Sequence, residues 1–410
     1  MDEGAPFPAD MNRTRKVTTR REIVVGAFRF AGLSAVTATL AACAGGDYSR
    51  EPAPQAAPAP TAQPLATGPV VALILPLGAQ GNAGAVGQSL RNAAELALSE
   101  LGSPAITLIV KDDGGTSQGA RAAAEAAVKE GARIILGPLF SHSVGAVAQV
   151  ARARGIPVIA FSTDTNVASE GVYLLSFLPQ SDVSRVVSFS AAQGRRSFVA
   201  LIPENAYGSV AEGAFQQAVS ASGGRVMGIE RFTQDKTRLQ NAVQRVAGVA
   251  AQADAVFIPD AADNVPAVVQ ALAAAGVDLK RVRPLGTGLW DDQRLFSDAQ
   301  LDGAQFAGPD AAGWQAFSQR YRARYNTDPV RTATLAYDAV SMVAKVVLTE
   351  GPDSLTSASL TKPAGFNGVD GIFRFRADGT NERGLAVMEI RGGATQVVSP
   401  APRNFSGGQY

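Results

Sequence analysis

Short apolar runs alternate with longer amphipathic stretches along most of the chain. The first run, Val70–Leu75, is a continuous aliphatic block, which is typical of a strand buried on both faces. Ala85–Leu101 follows it, with apolar residues at helical spacing. The same order recurs as far as Ala160, which predicts a parallel sheet with helices packed against it. The other predicted elements of this half are strands at Ile106–Val110, Arg133–Leu136 and Pro157–Ala160 and helices at Ser117–Glu130 and Ser143–Arg154.

The alternation starts again in the second half of the chain, although no close sequence repeat links the halves. The predicted fold class is therefore α/β, with two doubly wound lobes and a cleft between them. The helices predicted here are Asp182–Gln193, Val210–Ala221, Arg238–Ala251, Val265–Ala275, Trp314–Tyr325 and Ala333–Glu350. The strands predicted here are Phe198–Ile202, Val226–Phe232, Ala255–Ile258, Arg283–Leu285, Gly371–Phe375 and Ala386–Ile390.

The chain before the first strand carries an export pattern. Basic residues precede a mostly apolar segment, Ile23–Leu40, which ends at the run Leu40-Ala41-Ala42-Cys43. This run resembles the bacterial lipobox, in which the cysteine is acylated and becomes the mature N-terminus. A plain signal peptide and a short transmembrane anchor are the alternatives, but Arg29 interrupts a segment that falls short of about 20 apolar residues. We predict that residues 1–42 are a lipoprotein signal peptide and that Cys43 is lipidated.

Residues 43–69 have the composition of a tether. Pro, Ala, Gln and Thr make up almost all of the stretch from Glu51 to Pro64, which predicts a disordered, semi-rigid spacer with no core. In the lipoprotein sorting rule, Asp directly after the cysteine favours the inner membrane. This chain has Ala44 at that position. The expected location is therefore the periplasmic face of a Gram-negative cell, with a lipid anchor in the outer membrane.

Composition argues against several functions. The 37 basic residues nearly balance the 36 acidic ones, so no field attracts nucleic acid. The single histidine, His142, excludes a pair of histidine metal ligands, and no Gly-x-Ser-x-Gly elbow accompanies it. No dinucleotide fingerprint or Walker motif occurs. We therefore predict a protein that is not an enzyme, with no cofactor and no metal site.

Three loops at the carboxyl ends of predicted strands carry candidate ligand-binding groups. Ligands of open α/β sheets bind at such ends, often against helix N-termini. Ser141, Ser143, Ser162 and Thr163 offer hydroxyl groups to a carboxylate, and Tyr207 offers a ring and a hydroxyl. The same residue types also serve as helix caps and turn residues, so both interpretations stay open.

Four segments taken together resemble type I periplasmic binding proteins of the leucine/isoleucine/valine-binding group. They are Val71–Leu77, Ile135–Ser141, Gly155–Ser162 and Ala206–Gly208. The resemblance implies two lobes joined by three crossings, which we place near Leu178, Gly308 and Lys362. The expected division is residues 70–178 plus 309–362 for lobe 1, residues 179–308 plus 363–393 for lobe 2, and a flexible tail at 394–410.

The resemblance also implies ligand-binding roles. The α-carboxylate pocket of the family corresponds to Ser141 and the loop Ser162-Thr163, and its cleft aromatic residue corresponds to Tyr207. Relatives that bind amino acids hold the ammonium with an acidic residue in the loop after the strand ending near Leu285.

That loop departs from the family pattern here. It reads Gly286-Thr287-Gly288-Leu289-Trp290, and its first acid is Asp291. An unpaired ammonium is costly to desolvate. Amino-acid binding therefore requires Asp291 or Asp260 to reach the ligand.

A second resemblance favours a different role. Arg283–Gly288 and Leu301–Pro309 look like the C-terminal domain of penicillin-binding protein activators, lipoproteins that contact peptidoglycan synthases. The main hypothesis is therefore an interaction module for peptidoglycan synthesis with a synthase as partner. The alternative is the solute receptor of an ABC importer, with a permease as partner, which binds an amino acid of the branched-chain type between its lobes.

Overall fold

A computed structural model describes residues 68–102 and 105–405 of the protein. Cys43, the predicted signal peptide and nearly all of the predicted tether lie outside the described residues. Within the described ranges, no helix is long and apolar enough to cross a membrane.

The first lobe is built on a parallel sheet of five strands. Its elements are β1 (Val70–Leu75), α1 (Asn82–Glu100), β2 (Thr107–Asp112), α2 (Ser117–Lys129), β3 (Ala132–Leu136), α3 (Ser141–Arg152), β4 (Val158–Ala160) and β5 (Val172–Leu174). The strand order is β2-β1-β3-β4-β5, and each neighbouring pair is parallel.

Strand β1 explains why this lobe has helices on both faces of its sheet. Val71, Leu73 and Leu75 point into one apolar cluster, which includes residues of α1. Ala72 and Ile74 point into the opposite cluster, which α2 and α3 complete. The continuous aliphatic run is therefore the consequence of a central strand that is buried on both sides.

The second lobe contains a seven-stranded mixed sheet. Its first elements are α4 (Pro179–Ala192), β6 (Ser197–Pro203), α5 (Ala206–Ala221), β7 (Arg225–Phe232), α6 (Lys236–Ala250), β8 (Ala255–Phe257), α7 (Val265–Ala274), β9 (Arg283–Gly286), α8 (Gln293–Phe296) and β10 (Gln305–Gly308). Strand β6 again sends alternate residues to opposite apolar clusters. The predicted α/β class with two doubly wound lobes is confirmed.

The rest of the chain returns to the first lobe and then completes the second. It forms α9 (Ala311–Tyr325), α10 (Ala333–Glu350), α11 (Ser357–Leu360), β11 (Phe366–Gly368), β12 (Gly371–Phe375), β13 (Asn381–Arg383), β14 (Ala386–Arg391) and β15 (Ala394–Ser399). Helices α9 and α10 pack on α1, and β11-β12-β13 form a small antiparallel sheet. The seven-stranded order is β15-β14-β10-β9-β8-β6-β7, with β14 and β15 antiparallel to their neighbours.

Two expected boundaries differ from the structure. Phe373 and Phe375 belong to the core of the first lobe, so the chain returns to the second lobe after them and not near Lys362. Residues 394–399, which we expected in a flexible tail, pair with β14 as an edge strand. Their side chains are mostly exposed, which is why their apolar pattern is weak.

The first and third crossings are bonded to each other. The Asn381 amide Nδ2 donates to the carbonyl oxygens of Leu174 and Ser176, each at 2.8 Å. The Arg383 Nε donates to the Ser176 carbonyl at 3.0 Å. These bonds join buried groups, so they hold the two chain segments between the lobes in one fixed arrangement.

Candidate functional site

A cavity of about 340 Å³ opens beside the first and second crossings, with walls from both lobes. In the first lobe, the wall is formed by the start of α9 and the segment before α10. In the second lobe, it is formed by the starts of α4 and α5 and the loop after β9. The lining residues are Phe177, Asp182, Tyr207, Gly288, Leu289, Asp291, Gly308, Pro309, Trp314 and Arg331. Small-molecule sites of α/β proteins have this position, at the carboxyl ends of strands and between lobes.

Arg331 forms the charged part of the first-lobe wall. Its guanidinium carbon lies 4.8 Å from the ring centroid of Phe177 and 4.8 Å from that of Trp314. Its two terminal nitrogens donate to the Asp370 carboxylate, at 2.6 and 3.1 Å. Asp370 is only 1% exposed and also accepts a hydrogen bond from the Thr334 hydroxyl. The charge of Arg331 is therefore already matched by a buried carboxylate.

Asp182 is the first acid of the second-lobe wall. It lies in the first turn of α4, and its Oδ2 accepts a hydrogen bond from the Gly288 amide at 2.9 Å. Its other oxygen accepts no hydrogen bond from any described residue. Burial raises the pKa of Asp182 to about 7, against the opposing effects of the Gly288 amide and Arg383. The carboxylate is thus poorly compensated inside the protein.

Asp291 is the second acid, and it belongs to the same loop. Residues Gly288–Trp290 form a short 3₁₀ turn, and the Asp291 amide donates to the Gly288 carbonyl at 3.2 Å. Burial raises the pKa of Asp291, while Arg331 lowers it and Asp292 raises it. Asp292 itself is paired with Arg294, at 2.7 Å.

The loop has this shape because a tryptophan folds back over it. A Cβ atom on Gly286 would lie 2.1 Å from the Trp290 ring, so only glycine leaves room for that contact. Trp290 is fully buried, and its burial leaves Leu289, on the other side of the turn, 43% exposed at the cavity.

Tyr207 is held at the start of α5. Asn205 caps this helix, because its side chain accepts a hydrogen bond from the Gly208 amide at 2.7 Å. The Tyr207 hydroxyl donates to Thr287 Oγ1 at 2.9 Å, and Thr287 is fully buried. Burial and the nearby Asp182 charge raise the pKa of Tyr207, against the lowering effect of the hydrogen bond with Thr287. The ring is therefore fixed and neutral in the cavity wall.

The predicted site residues divide into two groups. Tyr207 and Asp291 line the cavity. Ser141, Ser143, Ser162 and Thr163 do not line it but lie in the loops after β3 and β4. Their predicted role in ligand binding stays a prediction.

The hydroxyl groups in those loops differ in their contacts: the Ser162 hydroxyl has a hydrogen-bond partner, whereas the buried Ser143 hydroxyl has none among the described residues. Ser143 is fully buried and lies beside Asp113, whose pKa is raised by burial and lowered by the Gly115 amide and this serine. The Ser162 hydroxyl accepts a hydrogen bond from the Asp164 amide at 3.1 Å. Ser141 is the first residue of α3, and Thr163 is exposed.

Asp260, the other acid considered for an ammonium, is occupied by the protein. It is buried and accepts hydrogen bonds from the Ala261 amide at 2.7 Å, the Asn264 side chain at 3.1 Å and the Gln234 side chain at 3.2 Å. It does not line the cavity. Its role in the structure is to order the turn before α7.

Several lining residues were not predicted from the sequence, namely Phe177, Asp182, Leu289, Trp314 and Arg331. Asp182 had one available signal. It lies in the first turn of a helix that directly follows a predicted crossing. Arg331 and Asp370 are 39 residues apart, and no spacing rule connects them.

Comparisons with known proteins agree with this architecture. The model of a family described as periplasmic binding protein matches residues 70–395. An uncharacterized protein of Rickettsia prowazekii is 22% identical over 176 residues, which cover 43% of this chain and 46% of that protein. This chain thus spans about half the length of that curated relative.

Solved structures extend the likeness over both lobes. A Rhodospirillum rubrum protein assigned to branched-chain amino acid ABC transporters has a TM-score of 0.71 at 20% identity, covering 81% of this chain and all of that one. An ABC transporter substrate-binding protein of Desulfitobacterium hafniense in complex with Leu has a TM-score of 0.59 at 18% identity, covering 80% of this chain and 99% of that one. A solute-binding protein of R. palustris in complex with benzoate has a TM-score of 0.54 at 21% identity, covering 81% of this chain and 97% of that one. At these identities the likeness is one of fold.

Proposed function

The chain belongs to the periplasmic binding protein family, and from this premise we propose that it is an exported solute receptor that delivers a small molecule to an ABC permease. The observation that carries the proposal is the cavity at the crossings, which both lobes line and which contains charged and aromatic side chains together. A ligand bound there would contact both lobes at once. Such a ligand would stabilise one relative position of the lobes.

The similar structures support a receptor for small organic solutes. Leu is bound by the D. hafniense protein and benzoate by the R. palustris protein. These ligands differ in charge, so the fold alone does not select one class of solute. The proposal includes the lipid anchor on Cys43 and a position on the periplasmic face of the outer membrane, which rest on the sequence pattern. The synthase-activator hypothesis stays a prediction from the sequence.

A cavity-filling variant tests this proposal. Leu289→Trp would place a large side chain in the cavity from an exposed loop position, where it costs little folding stability. Leu348→Trp is the matched control, because Leu348 is 61% exposed on α10 and outside the cavity lining. The measurement is a thermal-shift screen of the full-length chain against amino acids, organic acids, amines and peptidoglycan fragments.

A solute at a hundred times its Kd stabilises the folded state by about 2.7 kcal/mol, which is a readable shift. We expect a hit with the parent chain and the Leu348→Trp variant and none with Leu289→Trp. A folded parent chain that responds to no solute would contradict the receptor function. A hit that Leu289→Trp retains would move the site elsewhere.

A further inference from the structure

We propose that the interlobe cavity selects an organic cation, namely a small primary amine with an apolar body and no carboxylate beside its ammonium group. This inference rests on the proposed receptor function and specifies its substrate class. It differs from the zwitterion expected from the sequence, because the cavity wall has two acidic side chains and one basic side chain.

The first step is the balance of charge at the wall. Asp182 and Asp291 line the cavity, and Arg331 is the one cationic side chain among its lining residues. The Arg331 guanidinium is already bound through two nitrogens by the buried Asp370. Neither cavity acid forms an ion pair with a described residue, although Arg383 lowers the pKa of Asp182 and Arg331 lowers that of Asp291.

The second step is the layer of charges behind the wall. Arg383 is 3% exposed, and its charge interacts with Asp182, Asp338 and Asp370. It is one guanidinium near three carboxyl groups. Its Nε donates to the Ser176 carbonyl, and its two terminal nitrogens are buried beside the Phe177 and Phe373 rings without an acceptor among the described residues. Asp292, next to Asp291, is held by Arg294. Around the cavity, the carboxyl groups of Asp182, Asp291, Asp338 and Asp370 thus outnumber the guanidinium groups of Arg331 and Arg383, which favours a bound cation over a bound carboxylate.

The third step is the geometry of hydrogen bonding. Asp182 uses one oxygen to accept from the Gly288 amide, and its second oxygen has no donor among the described residues. An ammonium has three donors and satisfies such an oxygen. A ligand carboxylate would instead find one donor of each terminal Arg331 nitrogen used by Asp370 and the Tyr207 hydroxyl donated to Thr287.

The remaining surface suits an apolar body. Phe177, Tyr207, Leu289, Pro309 and Trp314 provide rings and aliphatic groups. The volume of about 340 Å³ lies at the small end of ligand pockets, which run from about 300 to 1,000 Å³. The Phe177 and Trp314 rings already contact Arg331, so Tyr207 is the lining ring that offers an aromatic face to a ligand cation. An aliphatic or aromatic monoamine fits both the size and the charge.

Two sets of matched solutes test the proposal by isothermal titration calorimetry on the full-length chain. The aliphatic set is 3-methylbutylamine, leucine and 4-methylpentanoate, which share one side chain and differ in their charged groups. The aromatic set is 2-phenylethylamine, phenylalanine and 3-phenylpropanoate. Asp182→Asn and Asp291→Asn are the test variants. Asp263→Asn is the control, since Asp263 is an exposed partner of Arg294 outside the cavity lining.

We expect an amine to bind more tightly than the amino acid of its set, and more tightly than the acid by about tenfold or more. Each test variant should weaken the amine by about tenfold, the factor that one charge-assisted hydrogen bond contributes. The control variant should bind like the parent chain. Melting curves check that every variant folds. If one of the two test variants does not fold, the other is sufficient for the test.

Each other result has a distinct meaning. Tighter binding of leucine, phenylalanine or either acid would overturn the cation proposal and leave the receptor function intact. Amine binding that survives both substitutions would overturn the assignment to this cavity. A folded chain that binds none of the six solutes overturns the amine proposal, and silence across the wider solute screen contradicts the receptor function as well.

Discussion

Asp338 is a buried acid whose replacement should change how the stability of the protein depends on pH. It lies on α10 and is 2% exposed. Its Oδ1 accepts a hydrogen bond from the Val369 amide at 2.8 Å, whereas its Oδ2 is buried without a hydrogen-bond donor in the described part of the chain. Burial raises its pKa from 3.8 to about 7, against the lowering effects of the Val369 amide and Arg383.

The sign of the effect follows from where the proton is bound. Between pH 3.8 and about 7 the folded protein keeps a proton on Asp338 that the unfolded chain has released. The free energy of unfolding therefore falls as the pH rises through this window. The slope is about 1.4 kcal/mol per pH unit, so the loss between pH 5 and pH 8 is about 3 kcal/mol.

Asp338→Asn removes this titration and keeps an oxygen for the Val369 amide. We expect the parent chain to lose about 3 kcal/mol relative to this variant when the pH rises from 5 to 8. Urea denaturation of both proteins at several pH values measures the difference, which isolates Asp338 from the other titrating groups. Asp353→Asn is the control, because Asp353 is an exposed partner of Arg133. Parallel pH profiles for the parent and Asp338→Asn would refute the reasoning.

Two further predictions concern the cavity wall and the anchor. Arg331→Ala leaves the buried Asp370 without its ion pair, so the free energy of unfolding should fall by about 3 kcal/mol in urea denaturation. Arg322→Ala is the control, because it removes an exposed ion pair and should lower this free energy by less than about 1 kcal/mol. Equal effects would contradict the role of Arg331 as the ion-pair partner of the buried Asp370. Cys43→Ala should move the protein from the membrane fraction to the soluble fraction on cell fractionation, and persistent membrane association would indicate an uncleaved anchor.

The regular part of the fold could be predicted because its signals are local. The aliphatic run Val70–Leu75 has the bounds of the strand, since a central strand is buried along its whole length. Strands β5 and β13 have only three residues each and no periodic pattern to find. Strand β10 was missed because Gln305 and Gly308 interrupt its apolar character, although its packing buries all four residues.

The site was only partly predictable because it depends on contacts between distant segments. Tyr207 follows a recognisable strand-to-helix turn, and the rule on strand ends leads to it. The pairing of Arg331 with Asp370, by contrast, depends on how a segment before α10 meets the turn between β11 and β12. The loop after β9 raised the question of an ammonium partner, but Asp182, on another element, was not considered.

The two tryptophans of the chain, Trp290 and Trp314, occupy opposite kinds of environment. Trp290 is fully buried against Gly286, while Trp314 is half-buried in the cavity wall beside Arg331. Their fluorescence therefore separates into a constant signal and a signal that changes when water leaves the cavity. Trp290→Phe would leave Trp314 as a single intrinsic reporter, so that filling of the cavity could be followed in real time without any added dye.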